Sequence, residues 1–475
     1  MTAFFSNVKE KMPSIVSAIR AFYGGKIYPA VVAALVIIGH ISGTEFYLGI
    51  ALVLSAALSL AVCENAKPLV APLLMFIYIL NVKHSPGIPA FSDYYFTGNK
   101  LTVLIVAAAL LAIALIYFIA RRVIPFTRTD KAPMLIPSVL FALALLLNGF
   151  LGKAWSFTNV LFGLLQVLVF FVLFYLFYYG FRGENADALT DYVIYVAILT
   201  ILVLAVDMGY LLLTSEKIFN ENGAIMKEEI YFGWGISNSM GCAASVLMPL
   251  PILGAARAKS KRYALPCFAA GVLALALSFL SLSRNAMLFS AIAFVASLIV
   301  CCFFGEGKRL FRIVCFIGIG VVGVLMIFFG DDAVRMITEY INRDTEDSGR
   351  FDLWRYGFDI FKQFPLFGNG FYAYSEYGNV YRTFDFMPVM AHNTLIQLLS
   401  AMGIFGTVSY CAYRACSIVP VVRRISFTKV MLSAPILVLL AESLLDNFIF
   451  YIYMAFPYIV LLALLHRISA DEVAK

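Results

Sequence analysis

Long apolar runs, separated by short polar connections, recur along almost the whole of this 475-residue chain. Most approach the roughly 20 residues that carry a helix across about 30 Å of hydrocarbon. No water reaches backbone N–H and C=O groups at that depth, so an isolated segment must close its hydrogen bonds internally as a helix. A transmembrane barrel would show two-residue alternation instead. With 62% hydrophobic and 13% charged residues, the composition also excludes an ordinary water-soluble domain. The expected fold is therefore all-α, a polytopic transmembrane helix bundle of about 12–14 spans with one large extracytoplasmic loop. Fourteen apolar segments qualify, from 27–43 to 448–466, among them 67–83, 133–151, 311–329 and 428–446.

Charge bias orients the bundle, because Lys and Arg near span ends stay cytoplasmic. The clusters Lys9/Lys11/Arg20/Lys26, Arg121/Arg122/Arg128/Lys131, Arg257/Lys259/Lys261/Arg262, Lys308/Arg309/Arg312 and Arg414/Arg423/Arg424/Lys429 fall in alternate connections. Both termini are then cytoplasmic and residues 330–390 face outward. The expected organisation is an interfacial amphipathic segment at 1–26, spans one to eleven over 27–329, the large loop at 330–390, and spans twelve to fourteen with a cytoplasmic tail over 391–475. Phe5, Val8, Met12, Ile15, Ile19 and Phe22 recur at helical spacing, which suits a helix over 3–22 lying on the inner membrane surface. The net charge of +7 is mostly this topological bias and does not point to nucleic acid. Eight cysteines lie in or beside apolar spans without a C-x-x-C pair, so neither a disulfide framework nor a zinc site is expected.

Candidate chemistry concentrates around the large loop. Arg284 sits in a tight hairpin between two spans, on the outward side against the charge bias; it can snorkel to headgroups, or pair bidentately with a phosphate from the outer leaflet. Arg350 and Trp354 are one helical turn apart with Arg355 beside them, a pattern that suits either a surface helix paired with Asp347, Asp352 or Asp359, or a diphosphate with a sugar attached. Pro365-Leu366-Phe367-Gly368-Asn369-Gly370 reads as a turn whose glycines could let amides approach a ligand, or as an ordinary tight turn. His392 stands just before a span whose N-cap is Asn393 or Thr394; an imidazole there can take a proton from a hydroxyl or bind a phosphate oxygen. Asp331-Asp332 and Asp344 to Asp347 are expected to be solvated rather than metal-binding. Asp207 and Glu442 fall inside apolar spans, where ionisable groups need a partner or a cavity.

In order, Ser283-Arg284, Gly349-Arg350 with Trp354, the Pro365–Gly370 turn, His392-Asn393, Gln397-Leu398-Leu399 and Gly403-Ile404-Phe405-Gly406 resemble the O-antigen ligase and O-antigen polymerase superfamily. The motif resemblance covers roughly residues 230–410, with Asn285-Ala286 where the family often has Gly and Ala. It implies an inverting glycosyltransferase of the bacterial cytoplasmic membrane, its active site on the extracytoplasmic side. The donor would be an undecaprenyl-diphosphate-linked glycan and the acceptor a hydroxyl of a glycan, lipid or protein, with no cofactor and no metal. On this resemblance Arg284, Arg350 and His392 are the catalytic candidates, and Trp354, Arg355, Gly368, Gly370 and Asn393 the substrate-binding ones. A transporter of lipid-linked sugars or a non-catalytic assembly partner are the competing classes, although no pseudo-symmetric repeat is visible.

Overall fold

A computed structural model describes residues 14–81, 95–127, 131–152, 155–221, 223–305, 307, 309–318, 320, 327, 338, 350–371 and 391–474. Most of the 330–390 segment, residues 3–13 and Gly349 lie outside the described residues, so the expectations placed there are not addressed by it. Helices dominate, as the continuous apolar runs require, and the chain is a multi-pass membrane protein. Among the described residues nine helices are long and apolar enough to cross a membrane, or ten if a bent pair counts as one span. That is fewer than fourteen for identifiable reasons. The 67–83 run becomes Lys67–Ile79, broken by Pro68 and Pro72 into 3₁₀ and α turns and only about 20 Å long. The 133–151 run becomes the 12-residue helix Leu135–Leu146, which gives way to a turn where Gly149 adopts φ +72°. Of 311–329, only 311–318, 320 and 327 are described.

The chain divides into two compact units. The first comprises residues up to Lys131 with Tyr175–Asn220 and Ile225–Ser237. Its helices are α1 (Ser14–Gly24), α2 (Ile27–Ser42), α3 (Glu45–Val62), α4 (Lys67–Ile79) and α5 (Gly98–Thr127). Helix α1 bends 65° into α2, and its Arg20 donates to Val62 O at 2.9 Å and pairs with Glu64 at 2.9 Å. This part of the expected interfacial helix is therefore tied to the end of α3. Asp207, buried within the helix Ala186–Thr214, has partners: Trp234 Nε1 donates to its Oδ2 at 3.1 Å and His40 Nε2 lies 3.9 Å from Oδ1. Trp234 occupies the turn of a small antiparallel hairpin, Tyr231–Phe232 with Gly235–Ile236, and stacks on Phe232. The segment after the helix is thus pinned onto it by an indole rather than left as a free connection.

The second unit holds Ala132–Phe174, Glu221–Ala224 and Asn238–Lys475. Its helices include α6 (Leu135–Leu146) and part of α7 (Phe157–Gly180); after α8 (Ala186–Thr214), which belongs to the first unit, come α9 (Ser237–Leu247), α10 (Pro249–Arg257), α11 (Lys261–Leu280) and α12 (Arg284–Phe304). They are followed by α13 (Arg350–Gln363), α14 (Thr394–Arg423), α15 (Phe427–Glu442) and α16 (Ile452–Ala474). One end of this unit gathers cations: Arg257 Nη1 donates to Thr428 Oγ1 at 3.1 Å, Lys429 Nζ pairs with Glu472 at 2.6 Å, and Arg424 reaches the Glu472 carbonyl. Lys261 and Arg262 begin α11 four residues beyond Arg257. The polar loops at the other end form the candidate site.

Candidate active site

The connection before α14 and the connection after α15 are stitched together by side chains. Asn393 is the N-cap of α14, its Oδ1 accepting from Leu395 N at 3.0 Å and Ile396 N at 3.1 Å. Its Nδ2 donates to Leu444 O at 2.8 Å. Thr394 N donates to Ser443 O at 2.9 Å, and Gln397 Oε1 accepts from both Ala391 N (2.8 Å) and Asn447 Nδ2 (3.1 Å). These bonds hold the Ala391-His392-Asn393 segment against Ser443–Asn447 before any substrate arrives.

That stitching sets His392 beside Asp446, with Nδ1 3.1 Å from Oδ1. The same carboxylate oxygen accepts from Asn447 N at 2.8 Å, which fixes the carboxylate in turn. Asp446 is buried, whereas the His392 side chain is 38% exposed and open to a ligand. To an ionised carboxylate an imidazole donates from Nδ1, which leaves the lone pair on Nε2. His392 also takes φ +49°, a left-handed conformation that costs a non-glycine residue roughly 1–2 kcal/mol. Sequence reasoning missed Asp446, which it placed at the end of a span; the available signal was an Asp-Asn pair interrupting two apolar runs.

Arg284 begins α12 directly after the Ser281-Leu282-Ser283 turn and is exposed. Leu282 in that turn has φ +54°, so two of the four left-handed non-glycine residues among the described ones lie at this site. Strained backbone persists only where its surroundings over-determine it, and such residues concentrate at functional sites. The turn and His392 are at the same end of the unit by a short path. Gly241 of α9 lies against Ser281, Ser283 and Ala286, while Ser239 of α9 receives a 2.8 Å hydrogen bond from Tyr453, seven residues beyond Asp446.

Helix α13 docks on the start of α14. Leu353, Tyr356 and Ile360 form one buried cluster with Ala391 and Ile396, and Trp354 and Phe364 pack against it. Arg350 is the first residue of the same helix, one turn before Leu353. Trp354 is partly buried with Phe351 edge-on at 5.2 Å, and its indole N–H meets no acceptor among the described residues. Arg355 points the other way: its side chain is 82% exposed and 3.9 Å from Asp352, the surface pairing weighed from the sequence.

Several of the substrate-binding candidates also make bonds inside the protein. Both polar ends of Asn393 are engaged, Oδ1 in the cap and Nδ2 with Leu444 O. The amides of the Gly368 turn are likewise used inside the protein: Gly368 N donates to Phe364 O, Asn369 N to Ser400 O at 2.8 Å and Gly370 N to Ala401 O at 3.0 Å. Gly368 and Gly370 instead permit a close crossing. The turn lodges where α14 breaks at Gly403, and the C-terminal half of the helix then starts with Ile404 N donating to Pro365 O at 2.8 Å and Phe405 N to Leu366 O at 3.1 Å. Carbonyls and amides released by the break are satisfied by the turn, which is how irregular backbone survives at membrane depth. A Cβ at Gly368 would fall within the Ala401 backbone, and φ there is +68°. We expect Gly368→Ala to lower stability by at least about 1–3 kcal/mol, read as a lower thermal midpoint in detergent, with less folded protein in the membrane.

This helical unit therefore sets a histidine bonded to a buried carboxylate at the end where the Ser281–Ser283 turn and Arg284 also stand. Residues 269–411 match the family model described as O-antigen ligase. The likeness to that family extends over 143 of the chain's 475 residues. The matched segment contains Arg284, Arg350, Trp354 and His392, while Asp446 lies beyond it. No curated protein matches the chain.

Proposed function

We propose that this protein is a glycosyltransferase of surface-polysaccharide assembly in the bacterial inner membrane. It moves a glycan from undecaprenyl diphosphate to an acceptor hydroxyl on the extracytoplasmic side. The observation that carries the reading is the His392–Asp446 pair, aligned by Asn447 and set at the end of the unit where Arg284 and the α13 arginine also lie. The sidedness is supported by the cations gathered at the opposite end around Arg257, Arg424 and Lys429, because such charges stay cytoplasmic.

In this scheme the acceptor oxygen attacks the anomeric carbon from the face opposite the diphosphate, so configuration inverts. As the new C–O bond forms, the hydroxyl proton passes to Nε2 of His392 and Asp446 stabilises the resulting imidazolium. The bond between the anomeric carbon and the diphosphate oxygen breaks, and Arg284 and Arg350 neutralise the charge that collects on the leaving lipid diphosphate. Trp354, one turn after Arg350 on α13, lines the sugar side. No metal ion is required by the scheme.

Replacing Arg350 and, separately, His392 with Ala in the native host should abolish mature surface glycan while the protein stays in the membrane. Gels of the lipid-linked pool then separate the chemistries: single repeat units accumulate if the enzyme is a polymerase, long chains if it is a ligase. Membranes treated with a chelator should retain transfer. An unchanged glycan profile in both variants would sink the reading and leave a transporter or an assembly partner as the better account.

A further inference from the structure

Helix α9 lies between the two halves of the site, and its contacts have a pattern that burial alone does not require. On one side Tyr453 Oη donates to Ser239 Oγ at 2.8 Å, Ser245 Oγ donates to Glu442, and Cys242 Sγ lies 3.6 Å from Met454 Sδ. Glu442 and Tyr453 bracket the Ser443–Asn447 turn that carries Asp446, so α9 is clamped both before and after that turn. On the roughly opposite face from Ser239, two residues on along a helix of 3.6 residues per turn, stands Gly241. A Cβ there would lie 2.5 Å from Ser281 Oγ, 2.6 Å from Ala286 Cβ and 3.2 Å from Ser283 Cβ. The turn that delivers Arg284 therefore rests directly on the α9 backbone. The turn is itself tightened by Ser281 Oγ donating to Ser278 O at 2.7 Å and accepting from Ser283 N at 3.3 Å. The α9–α10 span is also the most thoroughly buried of the nine among the described residues, at 94%, so little slack is available.

We propose that α9 is a rigid spacer that sets where Arg284 stands relative to the His392–Asp446 pair, with Gly241 and the Tyr453–Ser239 bond as its positioning elements. The inference rests on the functional reading above and adds residues to which that reading gives no part. A leaving diphosphate and an attacking hydroxyl sit on opposite sides of one anomeric carbon. The cation for the first and the base for the second must therefore be held at a fixed separation, and a displacement of about 1 Å can lower the rate on the order of 100-fold. Gly241 keeps the Arg284 turn close on one face of α9, and Tyr453 keeps the Asp446 turn close on the other.

The test measures transfer in isolated membranes from undecaprenyl-diphosphate-linked glycan extracted from the host, with the amount of folded protein determined in parallel. Gly241→Ala should lower kcat about tenfold or more while leaving the acceptor KM near the parent value. Gly241→Ala combined with Ala286→Gly, which relieves the 2.6 Å contact but leaves the 2.5 Å one to Ser281 Oγ, should recover part of that loss. A Gly241→Ala protein working at the parent rate, or a slow one that Ala286→Gly fails to rescue, overturns the spacer. If Gly241→Ala does not reach the membrane folded, Tyr453→Phe decides, since it deletes only the hydroxyl that binds Ser239: a folded but slow variant supports the inference and a parent-like one overturns it. Arg284→Ala run alongside separates the two levels, because full activity there removes the functional reading, whereas an inactive Arg284→Ala beside a parent-like Gly241→Ala removes the spacer alone.

Discussion

Asp446→Ala is expected to slow glycan transfer by roughly 10²–10⁴-fold, close to the loss from His392→Ala, without removing the protein from the membrane. The carboxylate does two jobs through one oxygen: Oδ1 accepts from His392 Nδ1 at 3.1 Å and from Asn447 N at 2.8 Å. Alanine deletes both, freeing the imidazole to rotate and to place its proton on either nitrogen. Asparagine keeps an acceptor oxygen in the same place but no negative charge to stabilise the imidazolium, so Asp446→Asn should fall between the parent and Asp446→Ala. The series thus separates orientation from electrostatics. Because the two side chains act as a unit, the double variant His392→Ala/Asp446→Ala should be no slower than the worse single one. Losses that multiply, or a parent-like Asp446→Ala, would show that the pair does not act as a base and its orienter.

Arg284→Ala should cost on the order of 10²–10³-fold in kcat, the scale seen when one donor to developing negative charge is removed. Lysine should restore little. A guanidinium presents a planar fork that meets a phosphate through two parallel bonds, while an ammonium on a flexible stem meets it as a point charge. The turn with left-handed Leu282 leads directly into the start of α12, where a lysine ammonium on its flexible stem would be held less firmly than the guanidinium. Arg355 is the internal control: exposed, next to Asp352 and facing away from the Ala391 cluster, it should tolerate alanine with transfer near the parent rate. Rates measured on the extracted lipid-linked donor at matched protein levels distinguish the cases. An Arg284→Lys enzyme at full speed would mean that only net charge is needed there.

The helical character, the positions of most spans and the order Arg284, Arg350, His392 were legible because each depends on residues near one another in the chain. Apolar content over about 20 residues forces a helix in lipid whatever surrounds it. Span count was less secure, since hydropathy sums residues and ignores interruptions: Pro68 and Pro72 shorten one run, and left-handed Gly149 follows another that ends at Leu146. The Gly368–Gly370 turn illustrates the limit in the site itself. Its glycines were visible, but whether their amides face a ligand or the Ser400 and Ala401 carbonyls depends on a break in α14 more than thirty residues away.

By itself the sequence determined that this chain must live in a membrane, as helices. Lipid leaves a backbone no alternative, and charge distribution along the chain is a local property. Only the tertiary structure decided the partners of the buried acids. Asp207 meets Trp234, Glu442 meets Ser245, and Asp446 meets His392 across fifty-four positions of chain. A carboxylate in an apolar run announces that it needs a partner because desolvating a charge is costly. The partner's identity is fixed by which helix ends pack together, and that is settled by side-chain fit and close crossings such as Gly241 against the Ser281–Ser283 turn, for which no local pattern in the chain is a proxy.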